Sequence, residues 1–193
     1  MNEPTTVLTD YALAAVSIFL GSKLLGSSKL WAVAFFALGL GAALGGTWHG
    51  FWEDDALWKA TTLSVGVASF GMVAGSALAT TSGALQRLLV GFALGKMAAY
   101  CAWMLYHDDF IWVIADTGTA LLIVALLHLW RFNGWILAGV AISVLAGLAQ
   151  AGGLALHERF NENDLYHVLQ TAAMFLLYRG VKHYATEGRR PST

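Results

Sequence analysis

The stretch His157–Arg179, HERFNENDLYHVLQTAAMFLLYR, changes from polar to apolar within a single helical segment. Residues three and four apart share a helix face, so Asp164, His167 and Thr171 fall on one stripe. Gln170 lies beside that stripe. Ionisable groups are costly to bury in a membrane-spanning helix and therefore mark a functional site by default. The pattern predicts that the other helices surround this stripe.

The composition indicates a membrane protein. Only 12% of the 193 residues are charged and 58% are hydrophobic, whereas a soluble domain is roughly 25% charged. A helix crosses the hydrocarbon with about 20 apolar residues, and short polar segments separate seven such runs. The runs cover about 7–26, 30–52, 56–80, 83–106, 110–131, 134–156 and 163–184. The sequence thus predicts an all-α, polytopic membrane protein, a single domain (1–193) folded as a bundle of seven transmembrane helices.

The charges divide between the two ends of these predicted helices. Only Lys59 and Arg159 are basic at one set of ends. The basic residues at the opposite ends are Lys23, Lys29, Arg87, Arg131, Arg179, Lys182, Arg189 and Arg190. By the positive-inside rule, the N-terminus lies outside and the C-terminus is cytoplasmic. We expect an integral protein of a bacterial plasma (inner) membrane, with membrane lipids as its partners. The net charge of -1 argues against a nucleic-acid partner.

Four histidines fall at the predicted outer ends of the helices: His49, His107, His157 and His167. Imidazole is the commonest metal ligand, and a catalytic zinc takes three protein ligands and a water molecule. The four histidines are therefore candidate zinc ligands, His49 and His167 above all. The alternative is that these histidines sit at headgroup depth and bind only water.

Two charged residues lie deep inside predicted spans, about two turns or more from either end. Lys96 is near the middle of the fourth run, and Asp116 is about two turns inside the fifth. A lysine side chain can reach several ångström along a helix, so the two can form an ion pair. In the alternative interpretation, Asp116 serves the site as a ligand or general base, or Lys96 holds an anionic headgroup. Asp116 and Asp164 are the predicted catalytic carboxylates.

Two motifs, GGTWHGF around His49 and NDLYHVLQTAAMFLLY around His167, resemble a superfamily of seven-helix membrane hydrolases. That superfamily includes alkaline ceramidases, adiponectin-type receptors and Per1-like proteins. In it, a histidine of the second helix and an HxxxH pair of the seventh helix hold zinc. The resemblance implies that His49 and His167 bind zinc. Asn163 stands at the first position of the pair, so His157 or Asp164 would have to complete the set. The resemblance implies zinc-dependent hydrolysis of a lipid amide or ester near the outer face, by metal-activated water.

Two other functions fit the same residues. A small-solute or proton-coupled transporter or channel would line a hydrated path with Lys96, Asp116, Gln150 and His167. The transporter hypothesis requires polar residues to continue toward the cytoplasmic side, where the sequence has few polar residues. A non-catalytic sensor or assembly subunit would instead use the outer polar cluster to bind a partner.

Overall fold

The computed structural model describes residues 3–187 and folds them into seven α-helices, which confirms the all-α prediction. The helices are α1 (Pro4–Leu24), α2 (Lys29–Gly50), α3 (Asp55–Thr80), α4 (Gly83–Met104), α5 (Phe110–Trp130), α6 (Gly134–Ala151) and α7 (Glu162–Glu187). Five of them, α1, α2, α3, α5 and α6, are long and apolar enough to cross a membrane. The chain therefore has the character of a membrane protein. The spanning roles of α4 and α7, the orientation and the kind of membrane stay predictions.

Local sequence explains where the helices begin and end. The Asp54 carboxylate accepts the N–H groups of Ala56 and Leu57 and so caps the start of α3. The sixth helix ends at Ala151, whereas the predicted run extended to about 156. Gly153 has a φ of 63°, a left-handed conformation that glycine adopts readily and that ends a helix. Residues 152–161 consequently form a connection between α6 and α7.

Six of the helices form a closed ring. Along the ring each helix packs on the next in the order α1, α2, α3, α5, α6 and α7, and α7 packs on α1. The approach of α3 to α2 is close enough that a methyl group on Gly71 would lie 2.7 Å from the backbone oxygen of Leu30. Helix α4 lies outside the ring, chiefly against α3.

Polar contacts attach α4 to its neighbours. The Lys59 ammonium of α3 donates to the carbonyl oxygens of Met104 and His107, at 2.8 and 3.1 Å, where α4 ends. The Tyr100 hydroxyl donates to the carbonyl of Thr62. Lys96 of α4 lies 2.5 Å from the Asp116 carboxylate of α5, which is the ion pair that the sequence suggested.

Buried residues change in character along the bundle. We call the end at which α1, α3, α5 and α7 begin the N-terminal end, and the opposite one the C-terminal end. Large buried apolar side chains are dense toward the C-terminal end and include Leu24, Trp31, Phe35, Val124, Ile136, Leu177 and Val181. Near the N-terminal end, by contrast, α1 and α7 bury polar side chains: Thr6, Asp10, Asp164, His167 and Gln170. The packing thus leaves a polar cluster between these two helices.

Candidate functional site

His167 lies at the centre of the polar cluster, in the second turn of α7, where α7 packs on α1. Its side chain is 9% exposed. The Nε2 atom is 3.1 Å from Oδ1 of Asp10, and the Nδ1 atom is 3.1 Å from Oγ1 of Thr9. A hydroxyl, an imidazole and a carboxylate therefore stand in line. In enzymes, a carboxylate placed in this way orients the imidazole and stabilises its protonated form.

Helix α2 makes room for the Asp10 carboxylate with two glycines. A methyl group on Gly46 would lie 2.8 Å from Cβ of Asp10, and one on Gly45 would lie 3.8 Å from both carboxylate oxygens. Asp10 is 3% exposed, and its Oδ2 atom has no hydrogen-bond partner among residues 3–187. A buried carboxylate oxygen without a partner is costly. Such a group needs an explanation, and a catalytic role is one.

The hydroxyl of Thr9 connects His167 to Asp164. Oγ1 of Thr9 is 3.0 Å from the carbonyl oxygen of Thr6 and 3.4 Å from Oδ1 of Asp164. If Nδ1 of His167 carries a proton, the Thr9 oxygen can accept it and donate its own proton elsewhere. If Nδ1 is bare, the Thr9 hydroxyl can donate to it. The surroundings can therefore accommodate both protonation states of the imidazole, as a proton-transfer group requires.

Asp164 also has a structural role at the start of α7. Its Oδ2 atom accepts the N–H of Asn161, at 2.9 Å. The Asn161 side chain in return accepts the N–H groups of Asn163 and Asp164. This reciprocal arrangement is a capping box, which satisfies the free N–H groups of the first turn. The cap fixes the register in which α7 presents His167 to α1.

His49 and Glu3 form the outermost part of the cluster. The Nδ1 atom of His49 is 3.3 Å from Oε2 of Glu3, which is an ion-pair distance. Neither atom has a partner with good hydrogen-bond geometry in the described part of the chain. A hydrogen bond weakens steeply when it is misaligned, so the short distance alone does not stabilise the pair. The two groups are thus neighbours that do not satisfy each other.

Comparison with protein families places the chain in one of them. The match covers residues 5–186, nearly the whole chain, and the model is described as a family of unknown function, DUF6962. The chain belongs to the DUF6962 family. No curated protein and no solved structure matches it. These comparisons do not link the DUF6962 chain to the seven-helix hydrolase superfamily, so that resemblance stays a prediction.

The structure brings together some of the residues that the sequence singled out, but not all of them. His49, Asp164 and His167 lie in the cluster of this DUF6962 chain. His157 is exposed in the connection before α7, where its Nδ1 atom accepts the N–H of Arg159. Asp116 is paired with Lys96 across α4 and α5, helices that do not line the cluster.

The predicted zinc set does not fit this arrangement. Within residues 3–187, no group of three or more His, Cys, Asp or Glu side chains is arranged to hold a metal ion. Both ring nitrogens of His167 already face protein atoms, those of Thr9 and Asp10. Zinc binding stays a prediction, and metal analysis of the purified protein tests it.

The first helix and the residue before it supply three site residues that the sequence did not predict: Thr9 and Asp10 of α1, and Glu3. A signal for one of them was present. Asp10 lies inside the first predicted run, 7–26, so the rule that an ionisable group in a span marks a site applied to it as much as to Asp116. Thr9 gave no such signal, because a threonine satisfies its hydroxyl within its own helix at little cost.

Proposed function

We propose that this DUF6962 chain is a membrane-embedded hydrolase of a lipid amide or ester, with His167 as its acid–base residue. The observation that carries the proposal is the position of His167 between the Thr9 hydroxyl and the Asp10 carboxylate, at 3.1 Å from each. General acid–base catalysis needs a group that gains and loses a proton within hydrogen-bond reach of the reacting atom. The two contacts of His167 supply such a group.

The geometry also suggests which atom attacks the substrate. Nε2 of His167 faces Asp10, so Nδ1 is the nitrogen that can accept a proton, and it faces the half-buried hydroxyl of Thr9. In the proposed reaction, Nδ1 takes the hydroxyl proton while Oγ1 bonds to the carbonyl carbon. The carbon–oxygen or carbon–nitrogen bond then breaks, and the same proton passes to the leaving alcohol or amine. Water hydrolyses the acyl–threonine ester in a second, equivalent step.

Asp10 has a positioning role in this mechanism. Its carboxylate holds the imidazole in place and stabilises the positive charge that His167 acquires after accepting the proton. The glycine at position 46 leaves space for Asp10, because a methyl group there would lie 2.8 Å from its Cβ atom.

The surroundings support a lipid as the substrate. Scissile amide and ester bonds of membrane lipids lie between the headgroup and the acyl chains, the depth at which a cluster near one end of a spanning bundle would meet them. Leu8 of α1 and Val168 of α7 are 69% and 48% exposed and flank the cluster along the sequence. Acyl chains can pack against such side chains without loss of apolar contact.

The residues beneath the cluster favour this proposal over a transporter. Leu13, Ala173 and Met174 follow the polar residues along α1 and α7, and all three are buried and apolar. A transported ion or polar solute would have to lose its hydration to pass them. A hydrolase needs access to the cluster only from the N-terminal end or from the lipid.

Release of fatty acid tests the proposal. The purified protein would be reconstituted with ceramide or with phosphatidylcholine, and free fatty acid measured by mass spectrometry. We expect His167→Gln to lower the rate by about 10²- to 10⁴-fold, and Thr9→Val to abolish acylation of the protein, which intact-mass measurement after acid quenching detects. His107→Gln is the matched control, because His107 lies at the same end but stacks on Trp103 outside the cluster. Absence of product with both substrates, or equal rates for the two histidine variants, would refute the proposal.

A further inference from the structure

A second candidate site lies at the C-terminal end, where the turn between α5 and α6 meets the last turns of α7. A shallow cavity of about 450 Å³ opens there. Its lining is partly aromatic and partly polar and consists of Phe132, Asn133, Gly134, Trp135, Ala138 and His183. This end is opposite to the His167 cluster, so the cavity belongs to a different site.

The walls of the cavity are held in place by buried contacts. The Asn133 side chain accepts the N–H of Ile136 through Oδ1 and donates through Nδ2 to the carbonyl of Gly180, at 3.2 and 3.0 Å. These two bonds fix the start of α6 against α7. Phe132 has a φ of 54°, a conformation that non-glycine residues rarely adopt, and its side chain is 87% exposed. The turn therefore projects an aromatic ring at the rim of a rigid cavity.

The charge around the cavity is positive. The guanidinium of Arg179 lies over the ring of Trp135, 5.1 Å from its centroid, so it is next to a residue that lines the cavity. Arg131 immediately precedes the lining residue Phe132, and its Nε–H donates to the carbonyl of Thr80. The sequence has no Asp or Glu in residues 117–157 or 165–186, which include the turn and the stretch of α7 from Arg179 to His183; the next acid is Glu187, the last residue of α7. An anion would meet no repelling carboxylate from these segments.

We propose that this cavity binds the phosphate group of an anionic membrane lipid. Arg179 makes the principal contact, because a guanidinium stacked on an indole ring keeps its N–H edge available for a bidentate bond to phosphate. Phe132 and Trp135 pack against the glycerol and the first acyl carbons, as aromatic residues do at the membrane interface. This apolar contact favours a lipid over free phosphate. The proposal does not depend on hydrolase activity at the His167 cluster.

Lipid-dependent stability measures this binding. The detergent-solubilised full chain would be titrated with phosphatidylglycerol, with phosphatidylcholine or with inorganic phosphate, and the midpoint of thermal unfolding followed. We expect phosphatidylglycerol alone to raise the midpoint. Arg179→Gln is expected to weaken the apparent Kd for phosphatidylglycerol by about tenfold or more, since a hydrogen bond to a charged group contributes about 1.5–3 kcal/mol. Arg87→Gln, which removes an exposed cation of α4 at the same end, should change it by less than about twofold.

Three outcomes would overturn the proposal. An equal rise of the midpoint with zwitterionic phosphatidylcholine would show that the site does not distinguish an anionic lipid from a neutral one. Equal losses for the Arg179 and Arg87 variants would show only a diffuse attraction. Competition by inorganic phosphate at the same concentration would show an ion site without lipid contact. Arg179→Lys keeps the charge without the planar fork, so it separates folding from recognition: it should unfold at the wild-type temperature without lipid and bind more weakly.

Discussion

Replacement of the Lys96–Asp116 pair tests whether Asp116 is a structural residue or a catalytic one. The two charged atoms are 2.5 Å apart, and the side chains are 14% and 3% exposed. Removing one partner of a buried ion pair leaves the other uncompensated and costs about 3–5 kcal/mol. Lys96 keeps some exposure and a flexible stem, so we take the lower figure for Asp116→Asn, about 3 kcal/mol. That loss is a decrease of roughly 100-fold in the ratio of folded to unfolded protein.

The double variant Lys96→Met with Asp116→Leu removes both charges and leaves apolar side chains of similar volume. Because replacing a buried pair in this way is often neutral or stabilising, we expect its free energy of unfolding to return to within about 1 kcal/mol of wild type. Equilibrium unfolding in mixed micelles with increasing sodium dodecyl sulfate, followed by circular dichroism, gives these free energies. Lys96→Met alone and Asp116→Leu alone complete the thermodynamic cycle.

The same variants address the sequence-based hypothesis that Asp116 is a general base. If Asp116 only pairs with Lys96, the double variant regains the fatty-acid release of the wild type along with its stability. A double variant that is as stable as wild type but inactive would refute the structural interpretation. A double variant that is no more stable than Asp116→Asn would refute the expectation that removing both charges restores stability.

Three further predictions concern packing, capping and orientation. Gly71→Ala should destabilise the fold by about 1–3 kcal/mol, because its new methyl group would lie 2.7 Å from the α2 backbone. Gly95→Ala has nothing within 4 Å of its methyl group, so it should be neutral or stabilise the fold by up to about 1 kcal/mol. Thermal unfolding of the two variants measures the difference. Asn161→Ala should cost about 1 kcal/mol of stability and speed amide hydrogen exchange in the first turn of α7, whereas unchanged exchange would show that the cap contributes nothing. In a cysteine-free background, Tyr106→Cys should react with a membrane-impermeant maleimide added to intact cells and Phe132→Cys should not; the reverse pattern would contradict the predicted orientation.

The sequence predicted the positions of the helices better than it predicted which helices pack together. Apolar run length is a property of each segment alone, so the seven helices could be located without knowledge of their packing. Histidine positions near helix ends likewise placed His49 and His167 at one end of the bundle. The order of helices around the ring is set by side-chain packing that no single segment reveals, and α4 lies outside that ring. The neighbours of His167 therefore could not be read from spacing.

Asp164 and His157 also show where prediction from spacing fails. Asp164 shared the predicted stripe with His167, but the Asn161 partner that makes it a helix cap was not recognised. The sequence groups His157 with the other histidines because the sixth apolar run extends to about 156. The left-handed Gly153 ends that helix early and leaves His157 in an exposed connection. The pair Gly152–Gly153 near the end of the apolar run is the sequence signal that indicates an earlier helix end.

The ring order has an electrostatic consequence for the His167 cluster. Helices α1 and α7 are neighbours in the ring and begin at the same end, so they run parallel. Each contributes about half a positive elementary charge at its first turn, and the two lie side by side. Glu3 precedes α1 and Asp164 is in the first turn of α7, so the backbone itself offsets the mutual repulsion of these acids. The same field would stabilise the negative oxygen of a tetrahedral intermediate in an acyl-transfer reaction.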